Sequence, residues 1–199
     1  MMKGKSHNMN TALLLIDIQN DYFPNGRMPL ERSIDASLKA QEALHIFRAK
    51  QKPAIHIQHI STRPDATYFL PCTKGIEFHA NVQPTKNETI IKKHYPNSFK
   101  DTNLFNYLTK AKINHLVICG MMTHLCIDAT VRAAYDLGFS CTVLHDACAT
   151  KNLEFHNIAI PAQSVHHAFL AALQPTYGNV LSVKELLQTI GTTITPATA

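Results

Sequence analysis

HLVICG (115–120), then THLCIDATVRAAYDLG (123–138), then SCTVL (140–144), is the stretch whose reading decides the fold. His115 to Cys119 is a short apolar run of strand length, and Gly120 ends it. Residues 123–138 carry helical patterning, with Gly138 as the stop signal. Ser140 to Leu144 is again strand-like. Two strands joined through a helix pair in parallel, because a tight hairpin cannot connect them. Working outward, the pattern repeats. Thr11-Ala-Leu-Leu-Leu-Ile-Asp17 contains five consecutive apolar residues, as expected of a strand buried on both faces. Residues 33–50 predict a helix, with Ser33 as its cap and Ile34, Leu38, Leu44 and Phe47 near one face. Further strands are expected at 54–60, 88–93 and 179–182. Further helices are expected at 101–112 (Leu104, Tyr107 and Leu108 inward), 164–173 (Ala168, Ala171 and Ala172 allowing close packing) and 183–190. Residues 61–87, with Pro64, Pro71, Gly75 and Pro84, form a long irregular excursion of the kind that usually serves function.

This alternation predicts an α/β fold: three layers, doubly wound, with a mainly parallel six-stranded sheet and helices on both faces. The chain of 199 residues fits a single domain, with 1–10 and 191–199 as loose termini. There is no run of eighteen apolar residues and no leader-like start, so neither a membrane span nor export is expected, and the location implied is cytoplasmic. The net charge of +5 is scattered rather than clustered, which argues against nucleic-acid binding. The five cysteines are odd in number and include no CxxC pair, so reduced thiols are expected rather than a disulfide framework or zinc knuckle.

In a sheet of this kind the active site lies beyond the carboxyl ends of the strands. The first strand ends at Asp17, the third at Lys93, and the fourth leads into the helix bearing Cys126. Taken singly, each has a structural reading: a turn-capping acid, a solvated lysine, a core cysteine. Together they supply a nucleophile, a base to take its proton and a cation to hold the thiolate. Cys119 and Cys141 lie within strands and read as packing residues, whereas Cys148, after the fifth strand, is the alternative nucleophile.

Several separated segments then occur in a recognisable order: ALLLIDIQNDYF (12–23), FLPCTKGIEFHANVQP (69–84), IIKKHYPNSFKDTNL (90–104), VICGMMTHLCIDATVRAAYDLGF (117–139), HDACAT (145–150) and VHHAFLAAL (165–173). In these the chain resembles the isochorismatase-like cysteine hydrolases, from about Thr11 to about Leu187. The resemblance implies catalytic roles for Asp17, Lys93 and Cys126. It selects Lys93 over Lys92 because the family lysine immediately precedes the HYPNSF-like stretch; strand alternation also puts the two lysines on opposite faces. It further implies a non-proline cis peptide at Met121–Met122, with the Met122 and Cys126 N–H groups forming an oxyanion hole. Phe23, Tyr95, Phe99 and His124 are candidates for lining the substrate space, each with a core-packing or loop-capping role as the alternative.

Nicotinamidases of this group carry a metal site built from an Asp-x-His motif and a later His. Here the corresponding region holds His56 and His59, three apart on a strand and so facing opposite sides. No metal or other cofactor is therefore expected. A cysteine at the nucleophile position argues against isochorismatase chemistry itself. The resulting expectation is a cysteine-dependent hydrolase of a small amide-like C–N bond, acting through a thioester, with a small molecule as its only partner besides further copies of itself in a dimer or tetramer. Nicotinamidase activity, a redox thiol protein using Cys126 and Cys148, and a non-catalytic member of the same scaffold are the alternatives.

Overall fold

The computed structural model describes residues 9–191. The expected tails at 1–10 and 191–199 lie almost wholly outside them. Asn10, at the edge, is not loose: its side-chain amide donates to the Ala111 and Lys112 carbonyls.

The molecule is a three-layer α/β structure around a six-stranded, all-parallel sheet whose strands lie in the spatial order 89–93, 54–59, 11–16, 115–121, 140–149 and 179–181. The strands are β1 (Thr11–Ile16), β2 (Ala54–His59), β3 (Thr89–Lys93), β4 (His115–Met121), β5 (Ser140–Ala149) and β8 (Asn179–Leu181). The helices are α1 (Ser33–Ala49), α2 (Leu104–Lys110), α3 (Asp128–Asp136), α4 (Ala162–Leu173) and α5 (Val183–Gly191). Strand β1 runs between β2 and β4, and its side chains alternate between two cores. Leu13 and Leu15 join the cluster under α1 and α5, whereas Ala12, Leu14 and Ile16 join the one under α2, α3 and α4. An apolar residue at every position is what burial on both faces demands.

Five local features depart from expectation. Helix α1 packs through Ser33, Ala36, Ser37, Ala40, Ala43, Leu44 and Phe47, while Ile34 and Leu38 are 40% and 50% exposed. Small side chains let the helix lie close to the sheet, so the large apolar residues do not mark its inner face. Ser33 is buried in the first turn, and the cap position is taken by Arg32 in a left-handed conformation. On α4 the inward residues are Ala162, Val165, Leu170 and Leu173, and Ala168, Ala171 and Ala172 face out. Strand β5 continues to Ala149, five residues beyond Leu144, with its register against β4 shifting between Ile118 and Gly120. Finally, β6 (Leu153–Phe155) and β7 (Ile158–Ile160) form a separate antiparallel hairpin. Its turn residues, His156 and Asn157, both have positive φ (50° and 61°), the requirement of a two-residue turn that matches strand twist.

Gly120 sets the spacing where β4 leaves the sheet. Its φ is +128°, and a Cβ there would lie 2.0 Å from the Ile16 carbonyl oxygen. Only glycine lets the end of β4 lie this close to the end of β1, directly before Asp17.

Candidate active site

Three strand ends bring the candidate residues together. Ile16 pairs with Gly120 and with Ile57, and His59 pairs with Lys93, so the ends of β1, β2, β3 and β4 share one rim. Asp17 follows β1 with a φ of 53°, a left-handed conformation that turns the chain out of the strand. Lys93 is the inward residue of the β3 alternation and Lys92 the outward one. Cys126 sits in a single π-helical turn, Thr123–Ile127, preceding α3. The expected uninterrupted helix from residue 123 therefore begins with wider winding. In that turn the Met122 carbonyl accepts from the Leu125 and Ile127 N–H groups (3.1 and 3.2 Å), and the Cys126 N–H is not part of the pair. The Met121–Met122 peptide is cis.

All three side chains are buried, and the Lys93 ammonium stands at their centre. Its three N–H groups are shared among four acceptors within reach: Asp17 Oδ2 (2.7 Å), the Tyr95 carbonyl (3.0 Å), His59 Nδ1 (3.0 Å) and the Cys126 sulfur (3.3 Å). Asp17 Oδ1 is sealed from solvent with no hydrogen-bond partner among the described residues. Burial pulls the Lys93 ammonium down, but Asp17 and Cys126 outweigh it and its pKa is raised. Burial, followed by the Asp17 carboxylate, pushes the Cys126 thiol well up, against the opposing pull of Lys93. The thiol thus lies in the same cluster as a carboxylate with an unpartnered oxygen, an arrangement that can pass a proton between sulfur and Asp17.

Three residues that the sequence reading did not assign frame this cluster. Burial, and next the neighbouring Cys126, raises the pKa of the Tyr22 and Tyr68 hydroxyls. The two rings lie 5.9 Å apart, and Tyr22 also packs on Phe69 at 4.6 Å. Tyr68 and Phe69 belong to the long excursion, and Asp21 secures it: its carboxylate accepts from Phe69 N–H (2.6 Å) and lies against Gly75, where a Cβ would come within 2.3 Å of it. Gln19 acts alongside, its amide joining the carbonyls of His59 and Ile76 and accepting from His59 N–H. The available signal was the density of polar residues after a buried strand, in DIQND at 17–21.

The four proposed lining residues are placed as follows. Phe23 is buried and stacks on His79, with centroids 3.7 Å apart. Tyr95 contributes its carbonyl to Lys93, while its exposed ring lies under the Lys100 ammonium. Phe99 stacks on Phe139, just ahead of β5. His124 bonds to the Thr150 hydroxyl and meets the edge of Phe169. Cys148, the alternative nucleophile, is buried opposite Gly120 in the β4–β5 ladder, and burial pushes its thiol up to about 12.

His56 and His59 point to opposite sides, and the nicotinamidase metal set does not fit here. His59 joins the Lys93 cluster, whereas His56 is 3.1 Å from Glu88, which also holds Arg48 through two 2.7 Å contacts. Among the described residues, Asp17, His59 and Cys126 are the one group with ligand atoms close enough to share an ion, and each already receives a Lys93 hydrogen bond. A second cation beside that ammonium would be repelled. The Glu88 network is structural. Burial opposes ionisation of Glu88, but Arg48, the Thr85 N–H and His56 hold its carboxyl down to about 2 from 4.5. A depressed carboxylate stabilises the fold above its unfolded pKa and ceases to do so as pH falls through the folded value. Glu88→Gln is therefore expected to lower stability by about 1–2 kcal/mol at neutral pH. In urea melts across pH, that difference is expected to shrink below about pH 4.5 and vanish near pH 2.

The comparisons with known proteins assign the chain to a family. Residues 11–184 match the isochorismatase domain family model. The chain belongs to the isochorismatase family, whose members are hydrolases. It is 47% identical to the isochorismatase family protein YddQ of Bacillus subtilis, over 90% of this chain and all of that one. It is 30% identical to a streptothricin hydrolase of Streptomyces noursei, over 71% of this chain and 50% of that one. Among solved structures, an isochorismatase-family protein from Oleispira antarctica superposes with a TM-score of 0.88 at 45% identity, covering 93% of this chain and all of that one. An isochorismatase from Pseudomonas putida superposes at 0.84 with 31% identity, covering 88% and 89%.

Proposed function

We propose that the protein is a cysteine hydrolase that cleaves a small amide-like C–N bond through a thioester at Cys126, without a metal. One observation carries this reading: a buried thiol within 3.3 Å of a lysine ammonium that is itself 2.7 Å from a carboxylate whose second oxygen is free. Asp17 takes the thiol proton as the sulfur attacks the carbonyl carbon, and Lys93 holds the developing thiolate. The Met122 and Cys126 N–H groups receive the oxyanion. Collapse of the tetrahedral intermediate breaks the C–N bond, and Asp17 returns the proton to the leaving nitrogen. Water then gives a proton to Asp17 and attacks the thioester, releasing the acid, and Asp17 re-protonates the sulfur.

The streptothricin hydrolase among the relatives supports a small-molecule substrate, and a lactam or carbamoyl compound is placed ahead of nicotinamide because His56 and His59 do not form the metal set expected of nicotinamidases. The test is a screen of primary amides, carbamoyl compounds and lactams for released ammonia or amine. At least one compound is expected to turn over with the wild type. A blank screen across all three classes, with a folded protein, sinks the reading.

A further inference from the structure

Asp17, Lys93 and Cys126 are closed off, at 0%, 0% and 1% exposure, yet His59 beside them is not: its side chain is 16% exposed. Its two ring nitrogens have different surroundings. Nδ1 lies 3.0 Å from the Lys93 ammonium, which can only donate, so Nδ1 is the acceptor. In a neutral ring the hydrogen is then on Nε2. Burial, outweighing the nearby Asp17, lowers the His59 pKa to about 4, with Lys93, His94 and Arg63 adding to the shift, so the ring is neutral at physiological pH. Nε2 has no hydrogen-bond partner among the described residues and is not among their sealed polar atoms, so it is open to solvent. Phe69 packs against the ring at 5.6 Å and the Gln19 amide grips the His59 backbone on both sides, which fixes the direction of that N–H.

We propose that His59 is the substrate-receiving residue of this site, its Nε2–H donating to an acceptor oxygen or nitrogen of the incoming molecule. The assignment rests on Cys126 being the reacting thiol. It deepens the hydrolase reading by requiring that substrates carry a hydrogen-bond acceptor near the scissile group, so that the ammonium orients the imidazole and the imidazole orients the substrate.

Alkylation of Cys126 tests this without a known substrate. Two probes are compared by peptide mass mapping: iodoacetamide, whose carbonyl can accept from His59, and allyl iodide, which has no such acceptor. In both, the sulfur forms an S–C bond, iodide leaves and the thiol proton passes to Asp17. His59→Asn keeps an acceptor near the Nδ1 position but loses the Nε2 donor, and His59→Gln restores a donor near Nε2. The iodoacetamide/allyl iodide rate ratio is expected to fall about five- to tenfold in His59→Asn, the worth of one hydrogen bond, and to recover in His59→Gln. Equal losses with both probes would assign His59 to Lys93 support alone and overturn the proposal. An unchanged ratio overturns it as well, as does a wild-type Cys126 that neither probe reaches. A normal ratio pattern beside a blank amide screen would instead remove the hydrolase reading and leave His59 as a ligand contact.

Discussion

Cys126→Ala is expected to abolish turnover, by a factor of at least about 10⁴, while leaving the fold intact. The size of the effect follows from the chemistry: without sulfur there is no covalent intermediate, and the remaining groups can only position water. The small structural cost follows from the packing. Cys126 contributes one side-chain sulfur to a cluster that also contains Ile16, Ile118, Ile127 and Val131, so its removal leaves a space of about one methyl group. The Lys93–Asp17 contact at 2.7 Å does not depend on the thiol. A loss of about 1 kcal/mol, seen as a few degrees in Tm, is therefore the expected stability change. Cys126→Ser is expected to be equally inactive, since the far weaker acidity of a hydroxyl defeats the transfer to Asp17. Hydrolysis by pure Cys126→Ala at a rate near that of the wild type would transfer the chemistry to another group, and Cys148 would then be the thiol to test.

The layout of the sheet was legible because it depends on the local order of apolar residues along the chain. Five apolar residues in a row at 12–16 can only be a strand covered on both sides, and β1 proves to run between two neighbours with alternate side chains in opposite cores. The outward Lys92 and inward Lys93 follow from the same period of two. What escaped the sequence reading depends on contacts between distant segments. The inner face of α1 is made of alanine and serine, chosen for closeness to the sheet, and the exposed Ile34 and Leu38 mimic a core stripe. Strand β5 passes through His145 and Asp146, polar residues tolerated where its register against β4 shifts. A His-Asn turn is a weaker hairpin signal than Asn-Gly, so β6 and β7 left little trace. Tyr68 and Phe69 are tied to the site by contacts distant in sequence, among them the bond from Phe69 N–H to Asp21, 48 residues earlier.

Lys93→Met is expected to be as inactive as Cys126→Ala but far less stable, and this contrast separates the two roles of the lysine. Asp17 is fully buried, and Lys93 is its ion-pair partner at 2.7 Å. Removing the ammonium leaves a carboxylate in the interior with its counter-charge gone, a loss of about 3–5 kcal/mol. Methionine fills similar volume, so little of that loss comes from a cavity. Asp17→Asn in the same chain removes the orphaned charge, and the double variant is expected to regain most of the lost stability, a coupling of roughly 2–3 kcal/mol in denaturant melts. Turnover is not expected to return with it, because a neutral amide cannot accept the thiol proton. A double variant whose destabilisation equals the sum of the single ones would show that Asp17 and Lys93 do not stabilise each other. Wild-type turnover in Lys93→Met would show that the thiolate needs no cation. These expected results would give the positive charge two functions, keeping an acid buried at a strand end and keeping the sulfur reactive beside it, of which only the first can be made unnecessary by deleting the acid.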